Sequence, residues 1–272
     1  MKNGTSGEVS RGRTKRQNST TPPLRTMPQL RTILSQGLEI LCKSDEDIER
    51  LIAPRTEEIL SLLCRYIGEI ELFNPAYGLV GAKDTNELAV KHILDSLAPA
   101  GIISRLPAVL NGQALRIADA GSGAGLPGIP LAIVLSECEF TLIERMGRRA
   151  GFLFNTIAAL SLSNAAVEES ELEKAASGRF NLITFRAFKP LEPRLLKTLF
   201  KACAPDGIIA AYKGRRENIE AEIAGLQKTA KNEHKSDGSG RETAGGFHWE
   251  IIPYSAPFLE EERHLLVIKH IG

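Results

Sequence analysis

Leu115-Arg116-Ile117-Ala118-Asp119-Ala120-Gly121-Ser122-Gly123-Ala124-Gly125-Leu126-Pro127-Gly128-Ile129-Pro130-Leu131-Ala132-Ile133 is the stretch that decides the fold of this chain. Its opening residues are mostly apolar and read as a buried strand ending near an acid. Glycines follow at 121, 123 and 125, and an apolar helix resumes after them. Glycine lets the main chain take positive φ and approach a flat ligand where a Cβ would collide. The start of the following helix is expected to offer unpaired N–H groups to a polar or anionic group. Strand, glycine turn and helix together predict a nucleotide-type cofactor site.

Two cofactor classes compete for that site. Gly123-x-Gly125-x-x-Gly128 satisfies the dinucleotide pattern, and Glu144 lies near the distance at which an acid meets a ribose hydroxyl. Counted from the strand, however, the spacing is Asp119-x-Gly121-x-Gly123-x-Gly125, the loop typical of S-adenosylmethionine-dependent methyltransferases. The glycine that should close the strand is Gly121, which favours the second class.

Outward from this loop, the chain has 272 residues, 43% hydrophobic and 25% charged, enough for one large domain or one with an appendage. Its four cysteines, Cys42, Cys64, Cys138 and Cys203, are scattered in apolar contexts. Neither a disulfide framework nor a metal site is expected, and a reducing cytoplasm is the expected compartment. No apolar run approaches the ~20 residues of a membrane span, and no signal-peptide core is visible. Net charge is +1 but uneven: Lys2, Arg11, Arg13, Lys15, Arg16, Arg25 and Arg31 face the single acid Glu8. Residues 1–27 are read as a disordered basic tail.

Helical spacing begins near Gln29, with Leu30, Ile33, Leu34, Leu38 and Leu41 recurring every three or four residues. A helix entry is expected at Ser44-Asp45-Glu46-Asp47, a longer helix over 55–73, a turn at Asn74–Gly78, and another helix over 86–98. Residues 28–112 are thus read as a helical region packed on a catalytic domain at 113–272. In that domain strands are expected at 115–120, 139–144, 165–168, 180–186, 207–213, 248–254 and 263–270. Helices are expected at 127–136, 147–160, 190–203 and 216–230, with a flexible loop at 231–246. Alternation of strand and helix predicts a mostly parallel seven-stranded sheet covered on both faces. The last two strands lack a long helix between them and are expected to form an antiparallel edge.

Ligands of a doubly wound sheet sit at the carboxyl ends of its strands. That rule selects Asp119, Gly121 and Gly123 after the first strand and Glu144 after the second, where a carboxylate can accept from both ribose hydroxyls. Asp119 is expected to order the glycine loop or meet the cofactor's ammonium group. Basic residues gather at the later ends: Arg186 and Lys189 after the fourth strand, Lys213, Arg215 and Arg216 after the fifth, with Arg148 and Arg149 beside them. Jointly they predict a phosphate-rich substrate. Phe185, Phe188 and Tyr212 are the aromatics available for stacking.

These residues resemble one family closely, the bacterial small-subunit ribosomal RNA guanine-N7 methyltransferases, also called glucose-inhibited division protein B. The resemblance is carried by Asn74–Tyr77, Lys91-His92-Ile93-Leu94-Asp95-Ser96, Asp119–Leu131, Gly147-Arg148-Arg149, Arg186-Ala187-Phe188, Lys213-Gly214 and Glu262-Arg263-His264-Leu265. It implies a class I, Rossmann-like methyltransferase fold that uses S-adenosylmethionine. Beside Gly125, which the loop spacing already makes a cofactor candidate, the resemblance implies that Gly121, Leu126, Leu172, Glu173 and Arg186 contact the cofactor, with Glu144 at its ribose. Lys91, His92, Arg148, Arg149, Lys189, Lys213, Arg263 and His264 become candidates for the RNA side. The chain departs from the family at Gly78-Leu79-Val80, where Asn-Leu-Thr is usual, and in its basic tail and the 231–246 loop.

The reaction so implied is methyl transfer to N7 of a guanine in 16S ribosomal RNA, free or in an assembling small subunit. That nitrogen carries a lone pair and no proton, so positioning rather than a general base would carry catalysis, with Arg186 as the catalytic candidate. The rival readings are an NAD-dependent oxidoreductase and a non-catalytic RNA-binding protein of the same fold. A monomer is expected.

Overall fold

The computed structural model describes residues 27–106, 114–187, 189–233 and 246–270. Almost all of the expected tail at 1–27 and loop at 231–246 lie outside these residues, as does Phe188. The ends that are described differ from the expectation. Helix α1 (Met27–Ser44) already includes Met27, and the helix after the fifth strand reaches Glu233.

Helix α1 buries Leu30, Leu34, Leu38 and Leu41 on one stripe. Asp45 starts α2 (Glu46–Ile52) by accepting hydrogen bonds from the Asp47 and Ile48 amides with its side chain. The long helix α3 (Thr56–Tyr77) passes through the expected turn. Pro75 lies in its last turn, where it removes the bond to the Glu71 carbonyl and crowds that group without ending the helix. Gly78, at φ 59°, then caps the helix with its N–H on Asn74 O. The Asn74 side chain closes the corner, its Oδ1 accepting from Leu79 and Val80 N–H and its Nδ2 donating to Val80 O.

Next come α4 (Thr85–Leu88) and α5 (Asp95–Leu97), joined by a π-helical stretch at Ala89–Leu94. The single helix expected over 86–98 is therefore wider in its middle, a feature frequent at functional sites. Helix α6 (Ala100–Arg105) follows.

The sheet contains β1 (Arg116–Ala120), β2 (Glu139–Ile143), β3 (Ala165–Glu168), β4 (Phe180–Arg186), β5 (Cys203–Lys213), β6 (Phe247–Tyr254) and β7 (Arg263–His270). Its order is β3-β2-β1-β4-β5-β7-β6. Strands β1 to β5 are mutually parallel; β7 runs antiparallel to both its neighbours, pairing Lys213 with His264 and Arg263 with Tyr254. The expected seven-stranded sheet with an antiparallel edge is what forms. Strand β5 starts four residues earlier than expected, through an irregularity where Cys203 pairs Phe180 before Ile208 pairs Leu182.

Side chains alternate across the strands as a pleat requires. Ile117, Leu182, Leu265 and Val267 enter a core shared with α1, α3, α7 (Gly128–Val134) and α8 (Gly147–Leu160). Ala118, Ile183, Leu266 and Ile268 enter the other, covered by α9 (Pro193–Ala202) and α10 (Arg216–Glu233). The strand order reverses between β1 and β4, so a crevice opens beyond their carboxyl ends. The glycine loop lies there.

Candidate functional site

A cleft of about 780 Å³ occupies this switch point, within the usual size range of small-molecule sites. One wall is main chain: Gly121, Ser122, Gly123, Ala124 and Leu126. The opposite rim is polar, with Lys91, His92, Asp95, Arg186, Lys213 and Arg263.

The glycine wall holds itself in shape. Gly121 and Ser122 N–H both donate to Ile143 O, at 2.8 and 3.1 Å. Gly123 N–H donates to Glu144 Oε2 at 2.9 Å, while Glu144 Oε1 accepts from Met146 N–H at 2.8 Å. Gly128 N–H donates to Asp119 Oδ2 at 3.0 Å, and Ile129 N–H to Gly125 O at 2.7 Å. The first amides of α7 are thus satisfied internally, contrary to the expected anion-binding helix start. From the far side, the buried Tyr66 hydroxyl of α3 donates to Ala124 O at 2.6 Å.

The glycines divide their work. A Cβ on Gly123, where φ is 57°, would approach nothing closer than Gly121 O at 3.9 Å and Arg149 Nη1 at 4.0 Å. It would project into the cleft and take the space a flat ligand needs. A Cβ on Gly128 would meet Leu142 Cδ2 at 2.4 Å and Asp119 Oδ2 at 2.6 Å. Gly128 therefore serves the close packing of α7 on the sheet, and Gly125 packs likewise against Ile129.

Two buried acids stand behind this wall. Asp119 is fully buried, and burial pushes its carboxyl up to about 7 against the pull of the Gly128 and Ser122 bonds. Its Oδ1 has no hydrogen-bond partner. A wall with satisfied amides and carboxylates behind it is ill suited to a pyrophosphate. It suits an uncharged or cationic nucleoside, such as S-adenosylmethionine.

The rim converges on Asp95. Arg186 Nη1 donates to Asp95 Oδ2 and to His92 O, both at 3.3 Å, and its Nη2 lies 3.2 Å from His92 Nδ1. Arg263 Nε and the Tyr254 hydroxyl donate to Asp95 Oδ1 at 3.2 and 3.3 Å. Burial raises the Asp95 carboxyl, and the two guanidiniums oppose it. His92 is pushed down to about 4, first by burial and then by Arg186, so its ring is neutral at pH 7. Ala187, at φ 49°, turns the chain directly after Arg186. Lys213 is tied to Glu222 at 2.6 Å.

The structure thus gathers Gly121, Gly123, Leu126 and Arg186 with Lys91, His92, Arg149, Lys189, Lys213 and Arg263 around one cleft. Several expected residues stand off it. Asp119, Gly125 and Glu144 lie behind the wall, spent on its internal bonds and packing. Leu172 is buried in the core beneath α9, and Glu173 pairs with Lys189 at 3.6 Å. Arg148 is exposed at the outer face of α8, while His264 points its Nδ1 at Gly214 O, 2.6 Å away. Phe185 and Tyr212, expected to stack bases, do line the cleft but with little of each ring exposed, and the Tyr212 hydroxyl donates to Ser96 O. Sequence reasoning missed the convergence of Tyr254 and Arg263 on Asp95, and it missed Tyr66 and Glu222. The one available signal was the spacing of His92 and Asp95, one helical turn apart.

Comparison with known proteins follows the same lines. The family model described as GidB, rRNA small subunit methyltransferase G, matches residues 59–239. A Treponema denticola protein named ribosomal RNA small subunit methyltransferase G is 32% identical over 261 residues, covering 87% of this chain and 95% of the relative. A Treponema pallidum protein of the same name is 37% identical over 228 residues, covering 82% and 91%. Among solved structures, the CurJ carbon methyltransferase shares the fold at a TM-score of 0.50 and 14% identity, over 82% of this chain and 70% of that one.

Proposed function

The chain belongs to the GidB family of rRNA small subunit methyltransferases, and from that premise we propose that it transfers the methyl group of S-adenosylmethionine to N7 of a guanine in 16S ribosomal RNA. The observation that carries this reading is one cleft with an uncharged main-chain wall on one side and a cationic rim on the other. The wall takes the nucleoside, which Gly123 admits by lacking a Cβ. The rim takes the acceptor, whose backbone is a polyanion. S-adenosylmethionine, when bound, supplies an electrophilic methyl group.

The acceptor nitrogen has an in-plane lone pair and no proton to remove. The work left to the protein is alignment of the two reactants at ~3 Å. Arg186 belongs to the rim and ends β4, the strand beside β1 that leads into the glycine loop, and we assign it to both sides. Lys189, Lys213 and Arg263, with Lys91 and Arg149, surround the approach of the RNA. No helix among the described residues is long and apolar enough to cross a membrane. From the ribosomal substrate named for its relatives we propose a cytoplasmic, monomeric enzyme acting on free RNA or an assembling subunit.

The decisive experiment maps N7-methylguanosine in 16S ribosomal RNA from cells with and without this gene. A site present with the gene and lost without it is expected; identical maps overturn the reading. Product that resists the strand cleavage that follows N7 methylation would assign a different atom. An oxidoreductase would instead bind NAD in preference to S-adenosylhomocysteine, which calorimetry reads directly.

A further inference from the structure

Asp95 is buried, with 6% of its side chain exposed, and the side chains that meet its carboxylate come from three different strands. One oxygen takes Arg186 from the end of β4; the other takes Tyr254 from β6 and Arg263 from β7. The two guanidiniums are themselves mostly buried, at 16% and 21% exposure. His92 beside them is neutral. We propose that Asp95 is a positioning residue for methyl transfer: it fixes Arg186 and Arg263 on the acceptor side of the cleft and leaves one positive charge over, which the phosphate-bearing acceptor neutralises. This inference rests on the reading of the cleft as an RNA methyltransferase site.

The physics is that of a buried ion pair. Removing one partner leaves the others uncompensated, so the effect of losing the carboxylate passes through the arginines it held. Asp95→Asn keeps the shape and one acceptor oxygen but lets two like charges face each other. They move apart, and the acceptor loses its alignment. A role exerted through Arg263 has a signature that general damage to the fold lacks: it disappears once Arg263 is gone.

The test measures kcat and KM on small ribosomal subunits purified from cells lacking the gene, with labelled S-adenosylmethionine. Asp95→Asn is expected to lower kcat about tenfold in the otherwise natural chain and no more than about twofold in an Arg263→Gln background. Equal losses in both backgrounds overturn the proposal. Tyr254→Phe removes one bond to the same carboxylate and is expected to cost about threefold, with the same dependence on Arg263. It decides the question should Asp95→Asn fail to fold. A natural chain that transfers no methyl group overturns the function and the positioning role together. An active chain whose variants show no coupling overturns the positioning role alone.

Discussion

Along the glycine loop the cleft is walled by main chain, drawn from five residues between Gly121 and Leu126 and locked by bonds to β2 and Glu144 and within the loop to Ser122. Across from it, the wall is made of side chains contributed by the π-helical stretch, β4, β5, β6 and β7. The first wall has few degrees of freedom to lose when a ligand arrives. The second is held by charge, each cation tied to an acid: Arg186 and Arg263 to Asp95, Lys213 to Glu222, Lys91 to Glu87. Preorganisation comes from covalent proximity on one side and from ion pairing on the other. Damage should therefore read out differently on the two sides.

The largest separation is expected between Gly123 and Arg186. Gly123→Val should weaken S-adenosylhomocysteine binding at least about 100-fold by calorimetry, because its branches fill the ligand's space and also strain a backbone held at φ 57°. Arg186→Ala should lower kcat/KM for the RNA about 100-fold, with a smaller loss in cofactor affinity. Equal losses of both quantities in both variants would erase the distinction between the walls.

Stability separates the two glycines of the loop. Gly128→Ala forces a methyl group into Leu142 and Asp119 and should cost about 1–3 kcal/mol in denaturant unfolding. Asp119 adds a pH dependence of known sign. Its folded value of about 7 lies above the ordinary 3.8, so the native state binds the proton more tightly than the unfolded chain does. That contribution is fully present below pH ~4 and is lost as pH rises through about 7. Asp119→Asn should flatten the stability curve over this window and leave the variant the more stable protein at pH 8.

Smaller effects sharpen the picture. Glu144→Gln keeps an acceptor for Gly123 N–H but loses its charge, and cofactor affinity should fall about tenfold. Tyr66→Phe leaves Ala124 O without its donor and should cost about threefold in the same titration, with the RNA KM unchanged.

The same contrast explains what could be read from sequence. Every determinant of the main-chain wall is local, so an acid, three glycines and their spacing sufficed to place it. The periodicities of α1, α8 and the strands were legible for the same reason. For Asp119 the sequence left two roles open, and its bond to the Gly128 amide fits the ordering of the loop; the bonds of Glu144 to the Gly123 and Met146 amides were not legible, because a carboxylate after a strand looks alike whether it faces a ligand or the amides behind it. Asp95 and Tyr254 lie 159 positions apart, and no local pattern joins them. Pro75 misled because one lost bond and one crowded carbonyl do not end a helix, whose stop here is Gly78 with the Asn74 side chain. Phe185 and Tyr212 reach the cleft with little ring exposed, because β4 and β5 carry most of each side chain into the core.

The reversal of β7 has an outcome of its own. Parallel strands deliver their last residues to the open end of the sheet, whereas this strand delivers its first. The segment 255–262 consequently joins Tyr254 and Arg263, both lining the cleft, at the same end of the sheet as the glycine loop. Because this connection lies outside both strands, its length and sequence can vary while β6 and β7 keep their register.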